Sequence, residues 1–194
     1  CPHCKAADRN RLYALYIEKV RDKLPEHLSI LDFAPASQLQ NFLIDLPGVE
    51  YRSADLLMEE VDDNCDIQNM RIYPDENFDF FICSHVLEHV DDDLLALQEL
   101  RRVLKEDGRG IVMVPISLTL EETMEFDEDL SDEDRWKYYG QDDHLRFYAK
   151  SSFTKRLKEA GFKVQEHGEK YFGKSVFQKH GIHPRSILYI VTKS

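Results

Sequence analysis

Apolar positions alternate along the chain between short continuous runs and longer stretches of helical spacing, and that alternation predicts an α/β fold. Leu12, Leu15, Tyr16 and Lys19 place a lead-in helix over residues 9–21. "LSILDF" (residues 28–33) predicts a short buried strand, residues 37–46 a helix ending at Pro47-Gly48, and "VEYRSAD" a second strand. "FDFFICS" (residues 78–84) is almost wholly apolar, as expected of a strand in the middle of a parallel sheet. Residues 91–104 set Leu94, Leu97, Leu100 and Leu104 on one helix face, with Asp91, Asp92 and Asp93 at its positive N-terminal end. "KEDG" closes that helix and "GIVMVPI" (residues 110–116) predicts another buried strand. "SSFTKRLKEAGF" (residues 151–162) predicts a helix capped by Gly161, followed by "FKVQEH" and "SILYIVT" as the last two strands. Residues 117–141 are acidic without a strong period, which predicts a solvated loop or lid.

Composition narrows the function classes. No apolar run approaches the ~20 residues of a membrane helix, which argues against a membrane protein. A formal charge of −12 opposes attraction to phosphate backbones, so nucleic acid is disfavoured as a partner. Cys65 and Cys83 stand isolated, as small core residues do, and the cysteine usage predicts a reducing, cytoplasmic setting. Cys1 and Cys4 have the spacing of half a zinc ribbon, whereas a structural zinc site takes four ligands. That incomplete site holds zinc only if an upstream ligand pair exists. Residues 1–27 therefore read as a ribbon remnant with a lead-in helix, and residues 28–194 as the main domain.

His85-Val-Leu-Glu88-His89 spells H-x-x-E-H, an inverted zinc-protease signature. Such a site needs both histidines on one face of an ordered helix. His85 instead follows directly on a buried strand, and the next helix starts only at the acidic run. The five residues are therefore expected to form a strand-end turn without a catalytic zinc.

The segment "NFDFFICSHVLEHVDDDLLALQELRRVLKEDGRGIVMVPI" resembles class I S-adenosylmethionine-dependent methyltransferases of the type 11-like kind, in order, spacing and residue types. The resemblance extends from Leu28 to the C-terminus. It is strengthened by "GQDDHLRFY", similar to the GQxDHxRxY segment of a subset that carries an N-terminal Cys-x-x-Cys. It implies a Rossmann-like, doubly wound, mostly parallel sheet with an antiparallel C-terminal strand, and S-adenosylmethionine as cofactor. In such a sheet ligands lie beyond the carboxyl ends of the strands, where the strand order reverses. Asp32, Phe33, Ala34 and Ala36 would then form the first donor loop. That loop departs from acid-x-Gly-x-Gly-x-Gly, because Ala34, Ala36 and Gln38 stand where glycines are usual and Pro35 lacks an N–H.

Asp55 closes the second strand about 20 residues after Asp32, the offset at which an acid accepts ribose hydroxyls in nucleotide-binding folds, and Leu56 adjoins it. By resemblance, Asp66 receives the adenine amino group while Ile67 packs on the ring. Ser84 and His85 line the site at the end of the fourth strand, and Glu88 and His89 match a largely structural stretch. Similar enzymes place a His-containing loop over the acceptor pocket just before the helix ending in "AGF". That position assigns His144 to the acceptor side, with Gly140, Gln141, Asp143, Arg146 and Tyr148 around it. The alternative for Asp143 and Arg146 is a surface ion pair.

These readings converge on methyl transfer to an oxygen or nitrogen of a small-molecule acceptor, with His144 and His85 as catalytic candidates and no metal required. Two rivals keep the fold: a non-catalytic module binding another ligand or partner, and a zinc-ribbon adaptor with the sheet as scaffold.

Overall fold

The computed structural model describes His3, residues 5–126 and residues 128–194, so the Cys1 and Cys4 pair lies outside the described residues. The elements in chain order are α1 (Asp8–Val20), a 3₁₀ turn (Arg21–Lys23), β1 (Leu28–Phe33), α2 (Ser37–Ile44), β2 (Val49–Asp55), β3 (Asp63–Asn64) and β4 (Phe78–Ser84). Then come α3 (Asp93–Val103), β5 (Leu104–Met113), β6 (Ile116–Ser117), β7 (Met124–Glu125), α4 (Asp132–Tyr139) and β8 (Arg146–Ala149). The chain ends with α5 (Lys150–Glu159), β9 (Phe162–His167), α6 (Glu169–Phe172), α7 (Lys174–Lys179) and β10 (Leu188–Lys193).

Seven strands form one sheet in the order β3-β2-β1-β4-β5-β10-β9, and β6, β8 and β7 form a small second sheet. β1 is parallel to β2 and β4, β4 is parallel to β5, and β10 is antiparallel to β5 and β9. This is the doubly wound, mostly parallel sheet that the apolar pattern and the resemblance predict.

The apolar run of β4 has a direct structural cause. Phe80 and Ile82 pack with α1, α2 and β1 residues on one face, while Phe81 and Cys83 pack with α3 and α5 residues on the other. With both faces covered, the run of residues 80–83 is held apolar on both sides of the strand, while polar Asp79 and Ser84 sit near its two ends. β5 passes so close to this strand that a Cβ on Gly110 would lie 2.1 Å from Phe81 Cζ, so the ring requires glycine there. α1 contributes Leu12, Tyr13, Tyr16 and Ile17 to the first face, which makes the lead-in helix part of the same core.

Two expectations are corrected. "KEDG" does not close the helix, because α3 ends at Val103 and β5 begins at Leu104, with a register shift opposite Phe78 and Phe80. Lys105 is held there by Asp79 of β4 at 2.9 Å, a contact that local spacing does not reveal. The acidic segment is not a bare loop, since it supplies β7 and α4. Ser131 Oγ caps α4 by accepting the Asp134 N–H, and Asp132, Glu133 and Asp134 oppose the positive helix end. Only Tyr139 of α4 is buried, so this helix carries no apolar stripe to read.

Among the described residues no helix is long and apolar enough to cross a membrane. The strand order reverses between β1 and β4, with β2 and β3 on one side and β5 on the other. The carboxyl ends of these two central strands therefore open the crevice where α/β sheets bind ligands.

Candidate active site

The first wall of the crevice is the turn after β1. Ala34 adopts φ +53°, a left-handed conformation that costs an L-residue about 1–2 kcal/mol. This is the first position at which glycine was expected. The backbone path a glycine would take is kept with alanine in place, held by the Ala34 N–H donating to Ala54 O at 3.1 Å.

Asp32 is 2% exposed and accepts from Tyr51 Oη at 2.9 Å. Burial pushes its carboxyl up to about 7, with the Tyr51 hydrogen bond acting in the opposite direction. A raised carboxyl holds its proton more tightly folded than unfolded. Asp32 therefore favours folding least above about pH 7 and erodes stability as pH rises from about 4 to about 7. Asp32→Asn, which keeps an acceptor for Tyr51, is expected to be more stable than the parent at pH 8, by on the order of 2–4 kcal/mol, with little difference at pH 4. Urea unfolding at both pH values reads this, and a pH-independent difference would remove the assignment.

Asp55 ends β2 beside this loop. Its Oδ1 accepts the N–H groups of Leu57 and Met58 at 2.7 and 2.8 Å, which shapes the strand-end turn and leaves Leu56 exposed. Asp66 Oδ1 accepts the Gln68 N–H at 2.8 Å, while Ile67 is buried in the core face. Phe33 is likewise buried, so Phe33 and Ile67 form walls rather than open surfaces. Ser84 Oγ is engaged by Tyr13 Oη of α1 at 2.7 Å.

The second wall is the turn after β4. His85 adopts φ +60°, and its N–H donates to Met113 O at 2.8 Å. In this position its Nδ1 lies 3.0 Å from Glu88 Oε1. As expected, the H-x-x-E-H residues form a strand-end turn ahead of α3, whose N-cap Asp92 accepts the Leu95 N–H. Residues from a distant loop complete the wall. The Leu145 N–H donates to Glu88 O at 2.8 Å, which seats His144 over the turn. The rings of His89 and His144 meet edge-to-face at 4.7 Å, and His89 Nδ1 lies 3.3 Å from Asp143 Oδ2. Glu88 is 0% exposed and His144 is 4% exposed. Glu88 Oε2 and His144 Nδ1 have no hydrogen-bond partner. Burial lowers the affinity of His144 for a proton, with nearby Glu88 opposing the shift, so the ring is neutral at pH 7.

Sequence reasoning named His85 and His144 and did not join Glu88 and His89 to them, whereas the fold brings Glu88, His89 and His144 together. The available signal was the H-x-x-E-H spacing itself, once the helical requirement is dropped. Asp143 and Arg146 do not pair. Asp143 faces His89, while Arg146 is buried and donates to the carbonyls of Leu87, Val90 and Asp91 and to Glu125. Gly140 takes φ +82° at the end of α4, the ordinary role of a helix-ending glycine. Tyr148 is fully buried, and its hydroxyl lies 2.6 Å from Asp93 Oδ2 and 3.2 Å from Leu87 O, which ties β8 to α3 and to the turn after β4.

A cleft of about 1130 Å³ adjoins this wall, lined by His89, Asp91, Glu125, Asp129, Asp143 and Arg135 among others. It lies between the turn after β4 and the α4 and α5 helices, and no residue of the turn after β1 lines it.

Residues 6–167 match a family described as methyltransferase domain. No curated protein matches the chain. Several solved structures are similar over nearly its whole length. The 1,6-didemethyltoxoflavin-N1-methyltransferase of Burkholderia thailandensis, solved with S-adenosylhomocysteine, is 14% identical with a TM-score of 0.63, over 96% of this chain and 79% of that one. The CurJ carbon methyltransferase is 14% identical with a TM-score of 0.63, over 95% of this chain and 54% of that one. The 4+2 cyclase SpnF is 16% identical with a TM-score of 0.63, over 96% of this chain and 84% of that one. At these identities the likeness is one of fold, and one fold hosts several chemistries.

Proposed function

The chain belongs to the methyltransferase-domain family, and on that premise we propose that it moves the sulfonium methyl of S-adenosylmethionine to an oxygen or nitrogen of a small-molecule acceptor. One observation carries the reading. The carboxyl ends of β1, β2 and β4 deliver Asp32, Asp55 and His85 around the strand-order reversal. The donor then lies against the turn after β1 with its ribose toward Asp55, Asp66 and Ile67 flank the base, and Ser84 and His85 border the reactive end. The acceptor enters from the side of His144. Attack of its lone pair on the methyl carbon forms the new bond, the C–S pair returns to sulfur, and the acceptor proton leaves through the His144 side. Positioning donor carbon and acceptor in line supplies most of the acceleration. The acidic residues of the adjoining cleft favour a neutral or cationic acceptor over an anionic one.

Calorimetric titration with S-adenosylmethionine and S-adenosylhomocysteine tests the reading before any acceptor is known. Asp55→Ala is expected to lose about 1.5–3 kcal/mol of donor binding, the range for hydrogen bonds to a charged group. Asp55→Asn keeps an oxygen for the Leu57 and Met58 N–H groups, which separates the ribose contact from loop folding. Absence of binding by both nucleotides at millimolar concentration would favour the non-catalytic binding module instead.

A further inference from the structure

We propose that Glu88, His89 and His144 bind a divalent transition-metal ion, and that this ion holds and ionises a hydroxyl acceptor. Each of the three offers a ligand atom, and those atoms all lie within 4.8 Å of one another. Two of the side chains are almost fully buried and carry unsatisfied atoms, Glu88 Oε2 and His144 Nδ1. Buried polar atoms normally find partners, and an oxygen and a ring nitrogen left open on two members of one cluster have the composition of a ligand set.

The surroundings supply what ligands need. His85 Nδ1 approaches the other Glu88 oxygen at 3.0 Å, and Asp143 Oδ2 approaches His89 Nδ1 at 3.3 Å, leaving the second nitrogen of His89 for an ion. Both contacts are of the outer kind that orients ligands and sets the tautomer. Arg146 fixes the turn carrying Glu88 and His89 through the carbonyls of Leu87, Val90 and Asp91. Ligand atoms around zinc sit about 2.0–2.2 Å from the metal, so the cluster has to contract by about 1 Å. His89, a third exposed, has the freedom to do so.

Two imidazoles and one carboxylate select a borderline ion such as Zn²⁺ over the hard ions Ca²⁺ and Mg²⁺, with the harder Mn²⁺ as the comparison ion, and leave positions open for substrate. A hydroxyl bound there ionises near neutral pH, its proton passing to solvent past His144, which then manages the proton as a ligand of the ion and not as a free base. Its oxygen lone pair then attacks the donor methyl, the C–S bond breaks with its electron pair on sulfur, and S-adenosylhomocysteine leaves. This deepens the methyltransferase reading and rests on it for the chemistry, though not for the binding. It also revises the expectation that the H-x-x-E-H turn holds no metal. The helix that expectation demanded is replaced by His144 from another segment.

The test uses the full chain with Cys1→Ser and Cys4→Ser, stripped with chelator and titrated calorimetrically with Zn²⁺ and with Mn²⁺, with metal content measured after gel filtration. One equivalent is expected, weakened at least about 100-fold by either Glu88→Gln or His144→Ala, the scale of losing a ligand rather than an outer-shell partner. S-adenosylhomocysteine titration of the same samples reports folding and the donor site independently. No bound ion, or an ion that survives both substitutions, overturns the proposal even where the nucleotide binds. An ion lost on both substitutions supports it even where the nucleotide fails to bind, a result that would count against the methyltransferase reading alone.

Discussion

His144→Ala is expected to lower turnover by about 10²–10⁴-fold, the usual contribution of a group that manages the acceptor proton, while leaving S-adenosylhomocysteine affinity nearly unchanged. The asymmetry follows from position. His144 sits over the turn after β4, whereas the donor contacts proposed above lie at the turn after β1 and at Asp55, which ends β2. Since burial lowers its proton affinity, parent turnover should fall as pH drops through a value below 6.5, and the variant should lose that limb. Steady-state rates on an identified acceptor, with a pH profile, check both parts. Unchanged turnover in a folded His144→Ala protein would move the acceptor chemistry to His85.

Arg146→Ala is expected to cost about 3–5 kcal/mol of folding stability, the range for breaking one side of a buried charged network. Arg146 is 5% exposed and supplies donors to three carbonyls of the turn after β4, as well as to Glu125 Oε2 at 3.1 Å. Arg156 joins the network by donating to Asp93 Oδ2 at 2.6 Å and to Glu125. Removing Arg146 takes the guanidinium from the Val90 and Asp91 carbonyls and leaves Leu87 O with Tyr148 Oη at 3.2 Å as its remaining side-chain donor. Arg146→Lys keeps the charge but lacks the planar fork, so it should recover only part of the loss. Urea midpoints at constant m-value measure this, and a loss below about 1 kcal/mol would show that the network is a surface pair in effect.

The contrast between these two residues marks how far the site could be read in advance. His144 and Arg146 stand two positions apart in "DHLRF", and both were expected near the acceptor. Nothing in that spacing separates a group open to chemistry from one spent on structure. The separation comes from β8, where Arg146 begins the strand and turns inward to the carbonyls, while the Leu145 N–H pins the preceding residue over Glu88. Asp55 shows the opposite case. A strand end and its offset from Asp32 were legible, and the structure places the carboxylate at the end of β2.

The sequence by itself determined the layered architecture, because burial on a strand or helix repeats with the local backbone period. β4 reads as a central strand since helices cover both of its faces, and α3 reads as amphipathic since Ala96, Leu97, Leu100 and Val103 turn toward one of them. α4 stayed hidden because its stability comes from a cap and charge placement rather than an apolar stripe. The meeting of Glu88, His89 and His144 was decided only by tertiary structure. No local period links two adjacent residues after one strand to a histidine ahead of another. Their approach is set by a backbone hydrogen bond and a buried guanidinium that join segments remote in the chain.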